Sequence, residues 1–101
     1  MTIYTIKVEI LQLMNKNEKE YCKYIGQKIR MIRTLRLKKT LRQFALECEV
    51  PASTLSRIEN SVREPGFITM KKISEGFGIP YCDFIKELEQ DIPEKFSIYE
   101  E

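Results

Sequence analysis

An all-α domain of five short helices, with a β-strand extension at its N-terminus, is the fold class this sequence predicts. Three observations predict it. Apolar residues recur at every third or fourth position through five successive segments in the middle of the chain. Helix punctuation, above all Pro51, Gly78 and Pro80, divides those segments. Residues 2–13 show the alternation of a strand instead. With 101 residues, the chain is long enough for one core and too short for two.

The strand comes first. Tyr4, Ile6, Val8 and Ile10 alternate with Thr5, Lys7 and Glu9, and β-branched residues dominate. A lone strand cannot satisfy its own backbone. Its partner is the same strand in a second subunit, the segment Phe96–Tyr99, or another protein; the alternatives are that the segment is disordered or that translation begins at Met14. "NKNEKE" (15–20) reads as a polar linker. From Tyr21 the period becomes helical, with Ile25, Ile29, Ile32 and Leu35 on one face, and the helix ends near Leu37–Lys39. Thr40 is a suitable N-cap for a second helix, whose apolar face is Leu41, Phe44, Ala45 and Cys48.

"EVPA" (49–52) is a tight connection, in which Pro51 supplies a φ suited to a helix start. The third helix runs to about Asn60, a residue that tolerates left-handed φ and suits a helix end. Leu55 and Ile58 turn inward; Ala52, Ser53, Ser56 and Arg57 turn outward. "SVREPG" (61–66) is a loop. The fourth helix carries Phe67, Met70, Ile73 and Phe77 and stops at Gly78; the fifth follows Pro80 with Tyr81, Phe84, Ile85 and Leu88. "DIPEKFSIYEE" is an acidic tail with a short strand at Phe96–Tyr99. The boundaries that follow are an extension at 1–20, a helical domain at 21–89 and a tail at 90–101.

Composition narrows the function. The chain has no histidine, which removes Ser-His and Cys-His activation and the commonest metal ligand. Cys22, Cys48 and Cys82 form no C-x-x-C pair and read as free, buried thiols in a reducing cytoplasm. No apolar run approaches the ~20 residues of a membrane-spanning helix, and the start lacks the basic leader and cleavage site of a signal peptide. No catalytic constellation, phosphate loop, cofactor motif or metal motif is present, so the chain reads as a binding protein rather than an enzyme. Its net charge of +2 is unevenly spread: residues 21–86 hold thirteen basic against six acidic residues, whereas 87–101 hold six acidic against one basic. A basic middle suits a polyanion.

The middle resembles the Cro and phage-repressor (XRE) family of helix-turn-helix proteins. The resemblance is carried by "IGQKIRMIR" (25–33), "TLRQFALECEVPASTLSRIEN" (40–60), "REPGFITMKKISEGFGIP" (63–80) and "DF" (83–84), in order and at the family's spacing. It implies a lambda-repressor-like DNA-binding domain. "STLSRIEN" (53–60) falls where the family has its recognition helix, which enters the major groove by its N-terminal residues. Ala52, Ser53, Ser56 and Arg57 are then the base-facing residues, with Arg57 suited to guanine O6 and N7. Thr40 and Arg42 at the start of the second helix, and Arg63 in the following loop, are the implied phosphate contacts. Arg33 and Glu59 match a family pair that forms a buried ion pair.

Three departures stand out. Leu41 occupies a position where the family often has Gln, Ser61 stands where Gly is usual, and the link "LKK" (37–39) is one residue longer than the family's. The resemblance implies a cytoplasmic transcriptional regulator bound to double-stranded DNA. It would be a homodimeric repressor on a palindromic operator, paired through Phe84, Ile85 and Leu88 or the terminal segments. The alternative is an antitoxin or partner-binding module in which a protein partner comes first.

Overall fold

The computed structural model describes residues 14–99, among which there are five α-helices. They are α1 (Lys16–Met31), α2 (Leu41–Cys48), α3 (Ala52–Glu59), α4 (Phe67–Phe77) and α5 (Tyr81–Glu89), and a π-helical turn, Ile32–Arg36, extends α1. The strand expected at 2–13 lies outside the described residues.

The first helix begins earlier than its apolar period indicates. Asn15 is its N-cap: the Asn15 side chain accepts from the Glu18 amide at 2.8 Å, and the Glu18 carboxylate accepts from the Asn15 amide at 3.1 Å. That capping box satisfies two orphan donors reciprocally. "NKNEKE" is therefore a cap and a solvated first turn, not a linker. At its other end the Leu37 amide donates to the Ile32 carbonyl at 3.0 Å, five residues back. This wider turn brings Leu37 rather than Leu35 under Ile32. Leu37 packs against the core, and Leu35 is 69% exposed.

Ile29, Phe44, Leu55, Ile73 and Phe84 are fully buried at the centre of the domain. Phe77 stacks on Phe44 at 4.5 Å between ring centroids and meets Phe84 edge-on at 5.7 Å, tying α2, α4 and α5 together. Two expectations change here. Phe67 is 88% exposed, because it opens α4 before that helix reaches the core. Phe84 and Leu88 are 0% and 2% exposed, so they belong to the core and cannot form a surface patch. The helix α3 lies so close to α1 that a Cβ on Gly26 would sit 2.4 Å from the Ile58 carbonyl oxygen.

Three helices end on the same device. The Glu49, Ser61 and Gly78 amides reach back three residues, and the following amides of Val50, Val62 and Ile79 reach back five. The pivot residue has φ of 56°, 64° and 71° respectively. Asn60 has φ −92° and is not the left-handed residue; Ser61 is.

The described tail folds back onto α1. Phe96 stacks on Tyr21 and meets Tyr24 edge-on, and Asn15 and Asn17 donate to the Ile98 and Tyr99 carbonyls at 3.0 and 3.1 Å. Residues 96–99 form no strand; their backbone is bent over the start of α1 and pairs with side chains there.

Candidate nucleic-acid interface

The helices α2 and α3, joined through Glu49, Val50 and Pro51, form the candidate interface. Thr40 caps α2: its hydroxyl accepts from the Gln43 amide at 3.1 Å, and the Gln43 side chain accepts from the Thr40 amide at 2.9 Å. Val50 is buried and anchors the turn, while its amide donates to the Ala45 carbonyl at 3.0 Å. Pro51 precedes α3 at φ −55°, and α3 has no side-chain cap. Its first amides are thus left for water or an outside acceptor.

On α3, Leu55, Ile58 and Glu59 are buried, and Ser53 and Arg57 are exposed. Ala52 and Ser56 are half-buried, and Ala52 packs against the core edge. Asn60 donates to the Ser56 carbonyl at 2.9 Å and to the Ser56 hydroxyl at 3.3 Å. Nothing in the residue pattern signals that bond, which fixes the Ser56 hydroxyl on the open side of α3. The Arg63 amide donates to the Arg57 carbonyl at 3.3 Å, so the loop holds Arg63 beside the end of α3. The Ser61 hydroxyl, at 3.4 Å from the Cys22 carbonyl, ties the same loop to α1.

Arg33 and Glu59 fasten α3 to the end of α1. Arg33 Nε and Nη2 donate to the two Glu59 oxygens at 2.7 and 2.8 Å, and Nη1 donates to the Lys39 carbonyl at 2.9 Å. Both side chains are buried, and the bidentate pairing holds the guanidinium even more firmly protonated than usual. An ion pair this buried owes its value to orienting the two helices; its Coulomb gain is largely offset by desolvation.

Several of the remaining cations are engaged, while others, among them Arg30 on α1, are exposed and form no ion pair with any described residue. Lys28 pairs with Asp91, Arg36 with Glu87 and Lys39 with Glu47. Arg36 holds the Glu87 carboxyl below its usual range. Lys72 donates to the Glu49 carbonyl at 3.2 Å, at the C-terminal end of α2, and Lys71 lies 5.7 Å over the Tyr81 ring. Arg42, Arg57 and Arg63 are exposed and form no ion pair with any described residue.

A wide groove lies elsewhere. It has a volume of about 750 Å³, runs between the start of α1 and the tail, and is lined by Glu18, Glu64, Glu89 and Glu94, which disfavours a phosphate. There Tyr21 donates to Glu89 at 2.6 Å; burial and that bond push its phenol up to about 12. Burial likewise raises the Cys22 and Cys48 thiols, which keeps them protonated and poor nucleophiles at neutral pH, whereas Cys82, expected to be buried, is exposed in the first turn of α5. Among the described residues there is no cluster that could hold a metal ion, and no helix is long and apolar enough to cross a membrane.

The helix-turn-helix family model matches residues 29–84, which is more than half of the chain and includes α2, α3 and the Arg33–Glu59 pair. No curated protein and no solved structure matches the chain. On the family match, the chain belongs to the helix-turn-helix family, Cro and phage-repressor (XRE) type, and is a DNA-binding regulator.

Proposed function

We propose that the protein is a repressor that binds a palindromic operator as a dimer and acts by occupying it. The recognition helix is α3. Arg57 reads a guanine, Ser53 and the Asn60-fixed Ser56 hydroxyl donate to or accept from neighbouring base edges, and Ala52 lies against a thymine methyl. Thr40, Arg42 and Arg63 hold phosphates on either side, helped by the first amides of α2. The observation that carries this reading is the state of the arginines: Arg42, Arg57 and Arg63 are exposed and uncommitted among the described residues, around a single helix. An arginine already paired within the fold would have part of its charge and donors taken up before meeting a phosphate or a base.

Selection of binding sites from random duplex DNA, repeated over a range of salt, tests this. The expected outcome is an enriched palindrome whose half-sites lie ~34–36 Å apart. Log affinity for it should fall with log salt by ~0.9 per phosphate contacted. No enriched site, or an affinity indifferent to salt, would contradict the reading.

A further inference from the structure

With Phe84 and Leu88 in the core, a dimer needs another surface, and the stretch that follows α3 offers one. Val62, Phe67 and Ile68 are 50%, 88% and 73% exposed. Beside them is an apolar cleft of about 170 Å³, with Ile25, Met70, Tyr81, Ile85 and Leu88 in its walls and Phe67 at its edge. A cavity of ~150 Å³ with apolar walls is known to hold a benzene molecule. The cleft therefore has room for one phenyl ring, and a phenyl ring projects from its own rim.

We propose that two copies of this chain pair about a two-fold axis at residues 62–68, each placing its Phe67 ring in the cleft of the other. The inference rests on the reading of a two-fold operator. A two-fold contact must be self-complementary, and this surface carries both the projecting ring and the hole that fits it. The cleft also carries Arg63 together with two carboxylates, Glu64 and Glu89, so the axis can set the Arg63 of each copy against the Glu64 of the other. The guanidinium has five donors, enough to serve that carboxylate and a phosphate together.

The contact is also in the right place. Val62 follows the end of α3 by three residues, so an axis there sets two copies of α3 side by side. The patch is a few side chains wide, well short of the ~800 Å² per partner of a stable interface. Pairing is consequently weak in free solution and is completed on the operator, where DNA holds the two copies together.

The test compares the full chain with Phe67→Asp and Phe67→Leu on a full palindrome and on a half-site. Phe67 is exposed, so both variants should keep the helical circular dichroism of the parent. Phe67→Asp should lose the full-site advantage, a drop of ~5- to 150-fold for a typical coupling between sites, with half-site affinity unchanged. Phe67→Leu should keep most of the advantage. Sedimentation up to about 1 mM protein needs no DNA: the parent should self-associate weakly there and Phe67→Asp should not. If Phe67→Asp still self-associates, or keeps the full-site advantage, the surface is wrong and the cleft serves another occupant, such as residues 1–13 or a different protein. If neither site is bound but Phe67-dependent association persists, the pairing stands and the operator reading fails.

Discussion

Arg57 and Arg42 are both exposed arginines without ion pairs among the described residues, yet their loss should be felt differently. Arg57 lies on the exposed face of α3, the face proposed to meet base edges. Arg57→Ala should cost ~1–3 kcal/mol on the preferred site and relax base preference at one position per half-site. Arg42→Ala should weaken all duplexes alike and lower the salt slope by ~1, as read by fluorescence anisotropy across salt. Arg33 behaves differently again, because its guanidinium is buried against Glu59. Glu59→Gln should destabilise by ~3–5 kcal/mol in urea unfolding by stranding that charge, and Arg33→Met with Glu59→Leu should recover most of the loss. Tyr21 gives a pH signature. Its phenol ionises near 12 in the fold against 10.0 ordinarily, so the folded state holds that proton more tightly. The resulting stability is complete below pH 10 and disappears as pH rises from 10 towards 12. Tyr21→Phe should flatten the stability profile across that window.

At the scale of elements, helix ends and close approaches set the geometry. Ser61 and Glu49 hold φ of 64° and 56°, a conformation that costs a residue with a Cβ ~1–2 kcal/mol. Ser61→Gly and Glu49→Gly should each stabilise by roughly 0.5–1 kcal/mol once glycine's extra unfolded-state entropy is counted, raising Tm by a few degrees. Gly26→Ala should do the opposite. Its methyl would meet the Ile58 and Glu59 carbonyls at 2.4 and 2.9 Å and drive α3 off α1, lowering both Tm and DNA affinity. These elements also show how far the sequence can be read. Apolar spacing locates α2 to α5 within about a residue, because each buries one stripe. It misses the start of α1, where a solvated first turn held by Asn15 and Glu18 has no apolar stripe to reveal it. It misplaces Leu35, because a π turn changes the period without changing the composition. On α3, Ser53 and Arg57 are legible as outward residues. The Asn60–Ser56 bond and the arrival of Arg63 beside Arg57 are not, because both depend on the fold of the 60–63 turn.

For the whole molecule, burial of Phe84 and Leu88 makes the fifth helix an internal brace, and the pairing surface proposed in its place lies at residues 62–68, next to α3. The described tail closes over α1, through Lys28 with Asp91 and through Phe96 with Tyr21, so its acids are part of the domain's surface. Paired cations brace α1 against the tail, α5 and α2, and three arginines without ion pairs among the described residues, Arg42, Arg57 and Arg63, surround α3, with Arg30 on α1 likewise unpaired. The most direct measurement of that arrangement is site selection from random duplex DNA, run in parallel on the full chain and on Arg57→Ala. The account predicts a palindrome enriched by the parent, with a guanine preference in each half-site that is lost at that one position in the variant. An identical enriched site from both proteins would contradict the placing of α3 in the major groove with Arg57 at the bases.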